Sequence, residues 1–318
     1  MSKYTLYYAG YNRTNDQEQL GVLVSQDLHT WTRPISGPMI PLSFAGMNLL
    51  QTSNPCVIHK GDKYHMWYQG KLQNKTLAIF YAESMDGIMW EGRAVPILAL
   101  SIEEQGGFRA GYQHPHVIYD EQSSLYHMWF VINREKRSTI GYAESRTGID
   151  WDIVNTSVVA PEYTWEGSHL LYPMVLTNES GGYSLWYSGK SNSGKWSMGF
   201  ATSQDGIVWE KNKKPIMDPF VLPLLVRRVV EFACKLFCIE LKIPLSGIAS
   251  PNIWKEGEVY NLVPHEVGTH GRLYMPLYQS HDGINWNKKK KDILEAVSME
   301  EWDNFFQADP FILKNNGA

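Results

Sequence analysis

One pattern recurs five times along this chain, and that recurrence restricts the fold more than anything else in its 318 residues. The clearest copy is Tyr64–Trp90, YHMWYQGKLQNKTLAIFYAESMDGIMW. It reads as two strands joined by a polar turn and closed by a Ser-x-Asp-Gly-x-x-Trp turn. Its counterparts begin YTLYYAG at Tyr4, YHMWFVI at Tyr126, YSLWYSG at Tyr183 and YNLVPHE at Tyr260. Large apolar residues alternate with small or polar ones at period two, which is the pattern of strands and not of helices. The closing turns are SQDLHTW, SMDGIMW, SRTGIDW, SQDGIVW and SHDGINW, starting at Ser25, Ser84, Ser145, Ser203 and Ser280. Asp and Gly at their centre suit a tight turn in which the Asp side chain caps local N–H groups. The Trp that ends each turn is expected to pack in the core between neighbouring copies.

A proline marks the opening of a further, inner strand in each copy: Pro55, Pro115, Pro173, Pro251 and Pro310. Successive intervals are 60, 58, 78 and 59 residues. A period near 60 with four strands per unit implies an all-β, five-bladed β-propeller, a single domain spanning residues 1–318. The first copy lacks an inner strand, and the last stretch, QADPFILKNNGA, supplies one. Pairing of the N- and C-terminal strands would therefore complete a blade and close the ring. The long interval contains an insertion at about 220–244, in which Val226–Lys242 has helical length and a broad apolar face. Seventeen residues with several charges make a poor transmembrane span. A helix packed on the rim, a homo-oligomer contact, a lid and membrane-surface attachment are its readings.

Composition narrows the function classes. A net charge of −4 gives no support for nucleic acid or an anionic membrane as partner. The run Lys288–Lys291 reads as a solvated turn. Three cysteines form no disulfide framework, and the start MSKYTLYYAG has no apolar signal region, so a cytoplasmic location is expected. Cys234 and Cys238 are spaced like helical metal ligands but lack companions, so no metal or other cofactor is expected.

The repeat resembles that of the five-bladed propeller glycosidases, the superfamily of glycoside hydrolase families 32, 43, 68 and 130, over nearly the whole chain apart from the insertion. The motif Ala308-Asp309-Pro310-Phe311-Ile312, the turn Ser25–Trp31 and the Tyr-x-Met-Trp-Tyr strands carry the resemblance. Sialidase turns are similar but have one more residue between Asp and Trp. The resemblance implies an active site at the central tunnel, with acidic residues where the inner strands start, and a small saccharide or glycoconjugate as ligand. The residues before the five prolines are Asn54, His114, Tyr172, Ser250 and Asp309. Only Asp309 matches the implied pattern. His114 stands where an Asp would be usual, and Tyr172 where a Glu-Gly-Pro would be.

Glycoside cleavage needs a proton donor and a carboxylate near an oxocarbenium-like centre. Glu166 and Asp303 each lie seven residues before a marked proline, in loops expected to lead into the tunnel mouth. Glu166, flanked by Trp165, is a candidate acid because an aromatic neighbour would desolvate it. The bland alternative is a surface loop carboxylate. The catalytic candidates are thus Asp309, Glu166 and His114. The ligand-binding candidates are Asn54, Arg109, Gln113, Tyr172, Ser250, Asn252 and Asp303. Arg109 suits an anionic substrate group or phosphate, and Asn54, Ser250 and Asn252 suit sugar hydroxyls. Two functions fit: a glycoside hydrolase or phosphorylase-like enzyme, or a glycan-binding propeller that does not cleave.

Overall fold

A computed structural model describes residues 2–44, 46–101, 110–134, 137–218, 224–237, 247–267, 273–295, 297 and 300–315. The protein is built almost wholly of β-strands, as the period-two patterning requires. Five antiparallel units follow one another. In the second unit, the inner strand Gln51–Lys60 pairs with Lys63–Lys71, which pairs with Leu77–Ser84 and then with the short Glu91–Gly92. The inner strands of the third, fourth and fifth units are Gly111–Asp120, His169–Thr177 and Ile248–Glu256. In the first unit Tyr4–Asn12 pairs with Gln17–Ser25 on one side and with Phe306–Lys314 on the other. The two ends of the chain therefore share one sheet, as expected. Neighbouring units also touch through single parallel bridges, Leu77 to Gly111 and Ser138 to His169.

The prolines do not open the inner strands. Each lies inside one, at a register shift where the residue before it and the proline are bulged out of the ladder. Proline suits this position because it has no N–H to leave unpaired. All five residues before these prolines have positive φ: Asn54 52°, His114 50°, Tyr172 55°, Ser250 54° and Asp309 50°. This left-handed conformation is unfavourable for residues with a Cβ, and its recurrence at five bulges marks strain held at one place in the molecule.

The inner strands pack on one another in a cycle, each against the next, with Phe306–Lys314 touching both Ile248–Glu256 and Gln51–Lys60. Side chains one residue past the proline tie some of these joints. The Cys56 thiol accepts a hydrogen bond from Val117 N, His116 Nε2 meets Val175 O at 2.8 Å, and Asn252 Oδ1 accepts from Ile312 N at 2.9 Å.

The turns behave as the sequence implies. In the second unit Ser84 Oγ accepts from the N–H groups of Asp86 and Gly87, and Asp86 Oδ1 accepts from those of Ile88 and Met89. The turn carbonyl then binds the preceding unit. Tyr7 donates to Gly87 O, Trp67 to Gly148 O, Trp129 to Gly206 O and Trp186 to Gly283 O, all within 2.7–2.9 Å. The turn tryptophans close the same joints edge-on, with Trp90 against Tyr7, Trp151 against Trp67 and Trp209 against Trp129. The joint between the fifth and first units differs: Val263 replaces the aromatic donor, Leu28 replaces the glycine, and both enter one apolar cluster.

In the insertion a helix spans Leu224–Phe237, with Val226, Val229, Phe232 and Leu236 exposed. No described helix is long and apolar enough to cross a membrane.

Candidate functional site

The five strained residues converge. Asn54, His114, Tyr172, Ser250 and Asp309, their prolines, and His116, Met174, Asn252 and Phe311 line a narrow axial cavity of about 40 Å³. Asn54, His114, Tyr172 and Asp309 also line a wider polar cleft of about 400 Å³. Its walls add Ser53, Gln69, Gln113, Asn133 and Ser138, with His169, Lys71, Lys190 and Glu18. Each bulge re-aims a side chain that a regular strand would have kept in the pleat, so five separate units present one residue each to one axis.

Asp309 is the inner-strand carboxyl at this axis. It is 7% exposed, and its Oδ1 has no hydrogen-bond partner among the described residues. His265 Nδ1, likewise unpartnered, stands 3.7 Å away, beyond hydrogen-bond reach. Burial, reinforced by the nearby negative charge of Glu18, holds the Asp309 carboxyl well above the usual carboxylate range, against a lowering hydrogen bond from Ser250. Burial also pushes His265 down to about 4, so it faces Asp309 as a neutral ring.

His114 stacks on the Tyr172 ring, with centroids 4.1 Å apart and planes at 9°. Its Nδ1 accepts the Tyr172 backbone N–H at 3.2 Å, which assigns the ring proton of the neutral form to Nε2. Tyr172 also meets His265 edge-on. Gln113 is buried on the cleft wall. Asn54 donates to Ser53, while Asn252 Oδ1 is used by the next inner strand. The Ser250 N–H is taken by Ser188 Oγ. Arg109 and Cys238 lie outside the described residues.

Two sequence candidates are corrected. Glu166 does not line the cleft, and its side chain is 0% exposed. Both its oxygens are occupied by the N–H groups of Glu162 and Tyr163, the Tyr187 hydroxyl and Lys211 Nζ. Asp303 repeats this arrangement with Glu300 N–H, Tyr8 OH, Arg33 and Gln307. The shared spacing of seven before the proline therefore marks a loop anchor. In each case the cation sits two residues after the turn Trp, at Trp209-x-Lys211 and Trp31-x-Arg33. A buried carboxylate with this many donors is costly to strip, and serves to fix the loop entering the inner strand.

The sequence pattern does not single out Glu18, which lines the cleft. Glu18 lies on an outer hairpin strand, and only the folding of Gln17–Ser25 beside the axis brings it to the cleft. Among the described residues no cluster of three His, Cys, Asp or Glu is arranged to hold a metal ion.

No known family signature matches the chain. Over 212 residues, 63% of this chain and 67% of the other, it is 27% identical to the uncharacterized protein Rv1502 of Mycobacterium tuberculosis strain H37Rv. A structure described as a glycoside hydrolase superposes with a TM-score of 0.60 at 14% identity, covering 80% of this chain and 77% of its own. A thermostable family-43 glycoside hydrolase gives 0.54 at 13% identity, covering 75% and 72%. A third, from work on GH130 mannoside phosphorylases and hydrolases that target β-1,2 mannosidic linkages in Candida mannan, gives 0.57 at 12%, covering 80% and 76%. The chain shares its fold with these glycoside hydrolase structures. At such identities the fold is shared and the chemistry has to be argued from the site.

Proposed function

We propose that the five antiparallel units are blades of one closed five-bladed propeller, a single domain, and that its cleft cleaves a glycosidic bond with Asp309 as proton donor. The cyclic packing of the inner strands supports the blade count. The observation that carries the chemistry is the Asp309 carboxyl, buried at the axis with its pKa raised by that burial, on a cleft whose wall also carries a second carboxyl, Glu18. Two carboxyl groups whose environments separate their roles are the pattern of acid and base in glycoside cleavage. Asp309 protonates the leaving oxygen, and Glu18 supplies the negative charge that stabilises the oxocarbenium-like centre or activates water. His114, with Nε2–H directed by its Tyr172 bond, donates to a sugar hydroxyl, and Tyr172 offers its ring to a sugar face. Glu166 and Asp303 have no part in this reading. Hydrolysis and phosphorolysis differ only in the attacking group. No cofactor enters the scheme, and cysteine usage favours the cytoplasm. The helix in the insertion, with its exposed apolar residues, fits a contact between copies of the chain.

A second reading, glycan binding without cleavage, is favoured by a wall richer in amides and hydroxyls than in carboxylates. The test is release of sugar from a panel of aryl glycosides and oligosaccharides, with and without phosphate, by wild type, Asp309→Asn and Glu18→Gln. Cleavage lost in Asp309→Asn with binding retained is expected. Asp309→Asn cleaving at the wild-type rate would refute the mechanism, and binding by a wild type that cleaves nothing would favour the second reading.

A further inference from the structure

The cleft has a continuation. A groove of about 860 Å³ runs over the first and second units, lined by Asn15–Gln17, the hairpin residues Ser43 and Asn48, Leu49, and Gln73 and Lys75. It shares Gln51 and Lys71 with the central cleft, so the two are adjoining spaces with one wall in common. Gln51 bridges them, donating to Asp16 O and accepting from Lys71 Nζ. In the other direction the space closes down: the axial cavity of about 40 Å³ is pinched by five prolines, Met174 and Phe311. That volume holds a few waters and no sugar ring.

Among the described residues, a ligand seated at Asp309 can extend away from the axial cavity into this adjoining groove. Five of its twelve lining residues are amides, which both donate and accept and so match vicinal hydroxyls, and the rest include three leucines, two lysines and Asp16. Gln73, Lys75 and Asn48 are exposed and reach the groove from two sides, with Gln73 Nε2 bonded to Asn48 O across it.

We propose that this groove is a binding site for the continuing chain of an oligosaccharide whose terminal residue occupies the Asp309 cleft, making the protein selective for chain ends of saccharides longer than two units. The inference rests on the central cleft being a saccharide site, but it needs no cleavage. The experiment is calorimetric titration with neutral oligosaccharides of two to six units derived from mannan, xylan and β-glucan, on wild type and on Gln73→Ala/Lys75→Ala. Both substituted residues are exposed, so the variant folds as wild type does.

Affinity should rise about tenfold, 1.4 kcal/mol, between the disaccharide and the longest member of one series. The double variant should abolish that rise and leave disaccharide binding unchanged. If cleavage is seen, sugar should leave one chain end from the first time point. Length-independent affinity, equal weakening of short and long ligands, or random internal cleavage would overturn the groove while leaving the central site standing. Length-dependent binding without cleavage would sustain the groove and remove the hydrolytic reading. A panel with no binding member would count against both.

Discussion

The joints between units make a quantitative prediction at Gly206. Its carbonyl accepts from two indoles, Trp129 of the preceding unit and Trp209 of its own turn, each at 2.9 Å. Its φ is +75°, and an added Cβ would stand 2.8 Å from the Trp129 ring. Gly206→Ala should thus incur two costs: about 1–2 kcal/mol for a Cβ in the left-handed region and about 1–3 kcal/mol for overpacking against a fully buried ring. The sum is roughly 2–5 kcal/mol. Gly181 is the control, with φ +80° and nothing within 4 Å of the added atom. Gly181→Ala should cost about 1–2 kcal/mol. Urea denaturation of both variants gives the difference directly. In a Trp129→Phe background, where the indole edge is gone, the Gly206→Ala cost should fall to the Gly181 value. If the two alanine variants cost the same, or the Gly206 cost is unchanged in that background, the indole–turn contact is not what joins the units.

Lys211→Met should destabilise by about 3–5 kcal/mol by leaving the Glu166 carboxylate buried without its cation, and adding Glu166→Gln should recover part of this. Neither change should alter saccharide binding; an intact fold that no longer binds would return Glu166 to the site. Asp309 gives a pH test. Its folded pKa is raised by burial, so between the unfolded value and the folded one the native state keeps a proton that the unfolded chain has lost. The stability this contributes is fully present below the unfolded pKa and is lost as pH rises through the folded pKa. Melting temperatures of Asp309→Asn should therefore gain on wild type from about pH 4 toward neutrality, and a difference constant with pH would refute the assignment. The alkaline limb of any cleavage activity in the wild type should follow the same group.

The strand pattern was legible because period-two alternation and Ser-x-Asp-Gly turns are local properties that burial and hydrogen bonding impose on each copy separately. The convergence of Asn54, His114, Tyr172, Ser250 and Asp309 was legible too, because one offset from proline repeats. The bulges were not, since proline in a strand reads as an edge or a start, and no local signal reports a left-handed His or Tyr. The reading of Glu166 failed for a related reason. A Trp-Glu-Gly loop shows that a carboxylate is placed with care, but the donors that occupy it, Tyr187 and Lys211, come from strands whose nearness only the fold creates. Glu18 shows the converse, since an unremarkable hairpin residue gains its setting from the axis beside it.

The strand Phe306–Lys314 also sets an order of events during synthesis. Tyr4 pairs with Lys314, so the first sheet waits for a partner translated about 300 residues later. Until then Tyr4–Asn12 presents an unpaired edge that can recruit another chain, the kind of exposure that makes slow, non-local β topologies dependent on chaperones. The same late strand delivers Asp309. A ribosome-bound or incompletely closed chain therefore lacks the Asp309 carboxyl at its axis, and the cleavage proposed for it would be acquired only at the end of assembly.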